Sequence, residues 1–489
     1  MKFKIKQIGL AAGRPVAFLL KKTAKKLNVH TGDRVEISTN GKKIIAVVDT
    51  IKSLLNENDI ALSDEALSYL NVKPGHELEF SLLLPPKSSR SILKKLQGKE
   101  LTKEEIHEII QDIVNNYLTE AEIAYFVSGV YEHGMSFQET VNLTEAMYKT
   151  GDILHWHTNK IVDKHSIGGI AGSRTTPILV SICAALGIVM PKTSSRAITS
   201  AAGTADVMET ITKVDFSSNE LRRIVKKTNA CLAWGGSLGL SPADDKLIRV
   251  ERLLNLDPES QLIASILSKK LAVGSKYVLI DIPYGPEAKV NLKEAENLKK
   301  KFIKVANHFN LHLRVVFTKG DEPIGNGIGP LLEMKDVISV LKREADRPLD
   351  LENKAVFLAS QILEMTGKAK KGESEKLARE TLDSKKALRK FEEIIETQGR
   401  KTLPDLARYR YCIKSNRSGK IISIHNKMIN NIGRILGCPV DHSSGIYIHK
   451  HNHSKVSKGD ILLTLYAESS NKLKAAIKFL NSNKVIEIN

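Results

Sequence analysis

Residues 27–37 and 70–80 are two versions of one segment. Leu27-Asn28-Val29-His30-Thr31-Gly32-Asp33-Arg34-Val35-Glu36-Ile37 matches Leu70-Asn71-Val72-Lys73-Pro74-Gly75-His76-Glu77-Leu78-Glu79-Phe80 with Gly32 and Gly75 in register. A short helical pattern precedes each copy. A glycine turn then leads into alternation, Val35/Ile37 and Leu78/Phe80, the mark of a strand with one buried face. Two half-units of this kind predict a small pseudo-symmetric β-barrel over residues 1–85. Leu84-Pro85-Pro86-Lys87-Ser88-Ser89 then reads as a linker, because its two prolines lack backbone donors.

Beyond the linker, Thr102-x-x-Glu105, Thr119-x-x-Glu122 and Ser136-x-x-Glu139 each fit a capping box. Apolar residues follow at helical spacing, as in Ile106, Ile109, Ile110 and Ile113, which predicts a helical subdomain over 90–158. Part of 235–270 is expected to join it. From Lys160 short β-branched runs alternate with helical stretches. Strands are predicted at 277–282 and 311–317, within a central α/β domain over 159–400. The charged stretch 368–401 reads as exposed helices and turns. Residues 405–489 read as an α+β domain with Gly419, Gly445 and Gly459 punctuating strands and a closing helix at 471–481. The expected fold class is thus α/β multidomain.

The 489 residues carry 74 Lys and Arg against 55 Asp and Glu, a net charge of +19. Such an excess concentrates anions, whether nucleic acid, membrane surface or phosphorylated metabolite. Four cysteines, none in a CxxC pair, argue against a disulfide framework or a zinc site. The N-terminal stretch is broken by Lys6, Gln7, Arg14 and Pro15, unlike a signal sequence, and the apolar window 178–190 is too short to span a bilayer. A cytoplasmic protein without a membrane partner is expected. His449, His451 and His453 would share one face of a strand, but no acidic or Cys partner lies nearby in sequence, so a solvent-facing or structural role is expected rather than a metal site.

Two segments have the composition of anion loops. Asp163-Lys164-His165-Ser166-Ile167-Gly168-Gly169-Ile170-Ala171-Gly172-Ser173-Arg174-Thr175 joins a glycine-rich bend to Lys164 and the hydroxyls of Ser166 and Thr175, ahead of a helix. Backbone N–H groups and the positive helix end would both favour an anion there. The bend is equally compatible with a tight turn and a capped helix. In Thr193-Ser194-Ser195-Arg196-Ala197-Ile198-Thr199-Ser200-Ala201-Ala202-Gly203-Thr204-Ala205-Asp206, hydroxyls surround an arginine whose fork suits phosphate oxygens. A polar loop with N-capping residues is the competing reading.

Residues 194–209, SSRAITSAAGTADVME, resemble the signature of the thymidine/pyrimidine-nucleoside phosphorylase family, with Met208 where that pattern usually has Val, Leu or Ile. Residues 163–169, Asp244-Asp245-Lys246, SILSKK at 265–270 and PIGNGIG at 323–329 resemble further family segments, so the likeness covers nearly the whole chain. The Ser-Ser-Arg-Ala-Ile-Thr form and the N-terminal IGLAAGRPVA are more similar to the archaeal-type branch that acts on AMP. The resemblance implies attack of inorganic phosphate on the anomeric carbon of AMP, with CMP and UMP as further candidates, releasing base and ribose 1,5-bisphosphate. It also implies roles. Gly169, Ser195, Arg196, Ala197, Ile198, Thr199, Ser200, Thr204, Ser265 and Lys289 match nucleotide-binding positions. Asp257 matches the proton donor, and Lys164, Ser166, Ser194 and Thr204 match phosphate-binding positions. Phosphate is a co-substrate, and neither cofactor nor metal is expected. A homodimer through the helical subdomain is implied, with higher oligomers through the terminal domains, which carry no chemical constellation of their own.

The residue types suit that chemistry, because cleavage develops negative charge on the leaving base and a carboxylic acid can protonate it. Asp257 precedes Pro258 and would equally serve as a helix cap, and Lys289 in a loop would equally be a solvated lysine. Val250, flanked by Arg249 and Arg252, stands where pyrimidine enzymes of the family usually have Arg, which removes one half of a clamp that Lys269 would complete. Thymidine or pyrimidine-nucleoside phosphorolysis is the alternative within the family. A nucleic-acid-binding protein driven by charge is the alternative outside it, although aromatics are only 5% and no helix-turn-helix, RRM or zinc-finger pattern supports it.

Overall fold

The structure, a computed structural model, describes residues 1–39, 41–197 and 200–489. The chain forms two compact units, residues 1–150 with 242–265, and residues 151–241 with 266–489.

In the first unit, strands β1 (Lys2–Ile5), β2 (Val16–Leu20), β3 (Arg34–Thr39), β4 (Lys42–Ile51), β5 (Asp59–Leu62) and β6 (Glu77–Leu82) close a barrel in the order β1-β5-β2-β4-β3-β6. The repeat explains the closure. Helix α1 (Lys21–Lys26) leads to β3 and α2 (Asp64–Leu70) leads to β6, and the two strands pair antiparallel with Ile37 opposite Phe80, the matching repeat positions. Val35, Ile37, Leu78 and Phe80 are all buried in the barrel core, so the alternation of each copy points inward.

Helices α3 (Ser88–Leu96), α4 (Lys103–Val114), α5 (Glu120–His133) and α6 (Phe137–Lys149) follow. The three predicted capping boxes start α4, α5 and α6 with both reciprocal hydrogen bonds present. Glu139 does more than cap. Buried itself, it accepts from Ser136 N at 2.8 Å, Leu101 N at 2.9 Å and the buried Lys95 Nζ at 2.9 Å.

In the second unit, β7 (Val162–Ser166), helix α7 (Thr175–Ala185), β8 (Met190–Ser194), α8 (Thr204–Glu209), α9 (Ser218–Thr228) and β9 (Ala230–Trp234) come first. The chain returns to the first unit through α10 (Pro242–Leu254) and the start of α11 (Glu259–Ala272), whose apolar faces join the core of Ile106, Ile109 and Ile110. It then continues with β10 (Tyr277–Tyr284), α12 (Leu292–His308), β11 (His312–Lys319) and β12 (Gly327–Ile328). Strands β11, β10 and β7 form a parallel sheet, β8 and β9 a parallel pair, and a parallel bridge between Ile161 and Val189 links the two. The carboxyl ends of these strands therefore lie along one edge, where ligands of open α/β sheets bind.

Helices α13 (Pro330–Lys342), α14 (Leu349–Met365), α15 (Ser374–Asp383) and α16 (Lys386–Gln398) cover the sheet. The stretch 368–401, expected as exposed, is half wrong in that respect. Ala378, Leu382, Ala387, Phe391, Ile394 and Ile395 are buried in the main core, because the charges occupy only the outer helix faces. The C-terminal segment supplies β13 (Tyr409–Lys414), β14 (Gly419–Ile424), α17 (Asn426–Leu436), β15 (Gly445–Ile448), β16 (Lys455–Val456), β17 (Ile461–Ala467), α18 (Ser470–Ser482) and β18 (Ile486–Ile488). Its β15 pairs with β12, and its apolar core takes in Ala171, Ala201 and Ile328.

The three histidines do not lie on a strand. His449 meets Thr464 Oγ1 at 2.8 Å and His451 meets Glu322 Oε2 at 3.2 Å, while His453 has a φ of 69°. The turn sends them apart, and the acidic partner comes from a residue remote in sequence. Among the described residues no group of three or more His, Cys, Asp or Glu side chains could hold a metal ion, and no helix is long and apolar enough to cross a membrane.

Candidate active site

The bend after β7 needs glycine. Gly168 and Gly169 have φ of 82° and 95°, the left-handed region that side chains disfavour. A Cβ on Gly169 would also lie 3.0 Å from Lys289 Cγ and 3.2 Å from Lys289 N. The backbone of the bend thus abuts the loop after β10, bringing together two of the expected nucleotide-binding residues. Ser173 N donates to Ile324 O at 2.8 Å, and Ile324 N donates to Ala171 O at 3.1 Å, which ties the bend to the PIGNGIG segment.

The sheet that carries these loops holds two buried charge clusters, one around Asp163 near the start of β7 and one around Asp281 opposite its end. Asp163 Oδ2 is 2.7 Å from Lys270 Nζ, and its Oδ1 is 3.2 Å from Lys192 Nζ. Asp281, paired across the sheet with Ser166, accepts from Thr318 Oγ1 at 2.6 Å and lies 3.4 Å from Lys354 Nζ and 4.0 Å from Lys164 Nζ. All six charged side chains are buried. Each carboxylate serves two ammonium groups, so positive charge is in excess in both clusters. Burial draws Lys164 down to about 8, against the pull of Asp281. Burial likewise draws Lys270 down to about 7, against Asp163. Burial opposes ionisation of Asp163 and Asp281 as well, but the paired lysines hold both below the usual carboxylate range. A buried surplus of cations is costly unless an anion joins it.

Two hydroxyls point to the same requirement. Ser194 Oγ, at the end of β8, and Thr175 Oγ1, at the start of α7, are buried and have no hydrogen-bond partner among the described residues. Unmet buried donors are rare, and each asks for an explanation. Ser166 is half-buried at the end of β7. Thr204 Oγ1 accepts from Arg174 NH1 at 2.7 Å, which leaves its own proton free to donate.

Arg174 is the brace between the two loops. Its guanidinium also reaches Ala202 O at 2.8 Å and Glu333 Oε2 at 2.6 Å. Arg196, expected to fork onto phosphate, instead meets Glu209 at 2.5 and 3.0 Å and Asp206 at 3.2 Å, with its guanidinium 4.8 Å from the Trp234 ring. Its side chain is engaged in holding the loop. Asp206 closes that loop by accepting from Ala197 N at 2.7 Å and Gly203 N at 2.8 Å. Ser195 is exposed, and Ser200 donates to Ala202 O at 2.9 Å. Ile198 and Thr199 lie outside the described residues. Asp257, exposed in the turn between α10 and α11, and Ser265, half-buried on α11, belong to the first unit.

Sequence reasoning assigned no role to Lys192, Lys270, Lys354, Asp281 or Arg174. Lys270 and Arg174 lie inside motifs that drew attention. For Lys354 no local signal exists, because it reaches Asp281 only through the packing of α14 on the sheet.

Three family models match: the helical bundle domain of a glycosyl transferase family over 89–151, the a/b domain of that family over 158–388, and the pyrimidine nucleoside phosphorylase C-terminal domain over 420–487. An AMP phosphorylase of Natronomonas pharaonis is 39% identical over 100% of this chain and 98% of its own length. The chain belongs to the thymidine/pyrimidine-nucleoside phosphorylase family. An AMP phosphorylase of Thermofilum pendens is 42% identical, covering 99% of this chain and 95% of the relative. A protein of Ralstonia nicotianae named for thymidine phosphorylase is 41% identical, covering 93% and 90%. Among solved structures, anthranilate phosphoribosyltransferase of Thermus thermophilus shares the fold, with a TM-score of 0.51 and 18% identity over 63% of this chain and 99% of that one.

Proposed function

We propose that the chain is a pentosyltransferase that cleaves AMP by phosphorolysis. The observation that carries the reading is the buried pair Lys164 and Lys354 sharing Asp281, which lies opposite Ser166 at the end of β7, together with the hydroxyls of Ser194 and Thr175 that lack a partner among the described residues. Phosphate supplies the missing negative charge and accepts from both hydroxyls. The full-length likeness to proteins named AMP phosphorylase supplies the nucleotide. In the reaction a phosphate oxygen forms a bond to the anomeric carbon as the bond to adenine breaks. The electron pair leaves with the base, which Asp257 protonates. Lys164, Ser166, Ser194 and Thr204 hold phosphate in line for attack, and fixed positioning of this kind accounts for much of such catalysis. The loop residues Gly169, 195–200, Ser265 and Lys289 hold the nucleotide. No cofactor takes part in this scheme.

The second reading, thymidine or pyrimidine-nucleoside phosphorolysis, is favoured by the Ralstonia relative and by Lys269, and opposed by Val250. Incubation of AMP, CMP, UMP, adenosine and thymidine, each with and without phosphate, separates the two. Free adenine and ribose 1,5-bisphosphate from AMP, formed only with phosphate, is the expected outcome. Cleavage of thymidine with AMP untouched would overturn it. A cytoplasmic homo-oligomer is proposed along with the activity, and light scattering on the purified protein tests the oligomer.

A further inference from the structure

The C-terminal segment was expected to serve assembly, yet one of its helices touches three ligand loops. Asn426 and Asn430, one turn apart on α17, are both buried. Asn426 Oδ1 accepts from Ala171 N at 2.9 Å, in the glycine bend after β7. Asn430 Oδ1 accepts from Ala201 N at 3.0 Å, in the loop after β8. Gly433 lies on the same helix face, and a Cβ there would sit 2.7 Å from Ala201 Cβ. From the third loop, after β10, Glu287 Oε2 accepts from Asn426 N at 2.9 Å, and its Oε1 meets His425 Nδ1 at 2.7 Å.

Each contact answers a physical need. Ala171 and Ala201 are buried in the C-terminal core, so their N–H groups require partners that the loops themselves do not supply. The first-turn N–H of α17 requires an acceptor, and a carboxylate at that helix end is favourable. Glycine in the middle of a helix is disfavoured, and its presence at 433 is explained by the approach of Ala201.

We propose that α17 is a positioning helix for the phosphorolysis site. Asn426, Asn430 and Gly433 set where the backbones of the two anion loops lie, and Glu287 locks the Lys289 loop to the same helix. The C-terminal segment is then part of the active-site apparatus as well as of the fold. This inference rests on the phosphorolytic reading for its kinetic consequences and on the geometry alone for its structural ones.

Gly433→Ala tests it, because alanine is the better helix former, and a loss of activity then points to the loop. A methyl 2.7 Å from Ala201 Cβ forces one side to shift, and since displacing reacting groups by about 1 Å costs on the order of a hundredfold in rate, kcat/KM for AMP should fall by roughly tenfold or more. Overpacking of this kind is also destabilising, so the melting temperature should fall by a few degrees. Ala201→Gly in the same chain removes the colliding methyl and should restore most of both losses. Asn430→Leu should act in the same direction and speed hydrogen exchange at the Ala201 amide. Wild-type kinetics in Gly433→Ala, or a defect that Ala201→Gly does not relieve, would overturn the proposal. Wild-type protein that leaves AMP intact refutes the substrate reading alone. The exchange measurement needs no substrate, and an Ala201 amide that exchanges equally fast in wild type and Asn430→Leu refutes the positioning helix.

Discussion

Lys164 carries two opposing demands, since burial favours its neutral form while Asp281 and a bound phosphate favour its charged form. With its pKa drawn down to about 8 in the unliganded protein, the ammonium is largely protonated at neutral pH and loses its proton as pH rises through 8. A bound dianion raises that value, so binding above pH 8 must take up a proton, and phosphate affinity falls in that range. Calorimetric titration with phosphate at about pH 8.5, in two buffers of different ionisation enthalpy, should show net proton uptake. Buffer-independent heats would refute the assignment of Lys164 to phosphate. Asp257 makes a separate claim, that of proton donor to the base. Asp257→Asn should lower kcat by about a hundredfold or more with little change in KM, the range general acid catalysis contributes. Unchanged turnover would remove Asp257 from the mechanism. At this scale the types and spacings of Lys164, Ser166, Ser194 and Thr204 were readable, but the state of each group was not. Arg196 looked like a ligand fork and is engaged by Glu209 and Asp206 of the same motif, because α8 carries those carboxylates back toward the guanidinium, which residue types alone do not state.

Helices and strands announced themselves best where signals were local. The capping boxes at Thr102, Thr119 and Ser136 are reciprocal hydrogen bonds within four residues, and each one forms. Yet Glu139 gains its weight from Lys95 and Leu101, which only the fold delivers. Glu139→Ala leaves Lys95 buried without its counter-charge, and breaking a buried pair in this way costs about 3–5 kcal/mol. Thr102→Ala removes an exposed cap and should cost about 1 kcal/mol. Chemical denaturation of both variants checks the contrast, and equal losses would mean that Glu139 acts as a cap alone. The same distinction explains the stretch 368–401. Its charge count suggested exposure, whereas Phe391, Ile394 and Ile395 at helical spacing are buried in the main core.

Over the whole molecule, the charge of +19 is divided between a solvated surface and a buried minority. Lys164, Lys192, Lys270 and Lys354 are buried against the sheet with only Asp163 and Asp281 as carboxylate partners among the described residues. A scattered surface excess predicts only weak, salt-sensitive association with nucleic acid. Filter binding to duplex DNA should therefore vanish between about 50 and 200 mM salt, while phosphorolysis of AMP continues. Tight DNA binding at the higher salt without phosphorolysis would favour the nucleic-acid reading. By itself the chain's sequence determined the barrel, through the repeat that sets Ile37 opposite Phe80, the helical starts, and the composition of the two loops. These are short-range matters of alternation, capping and glycine geometry. Tertiary structure alone decided which lysines are buried, that Arg174 and α17 brace the loops, and that Asn426 and Asn430 serve Ala171 and Ala201 across more than two hundred residues of chain. Buried charges and backbone N–H groups must find partners wherever the fold places them, and sequence distance carries no record of that choice.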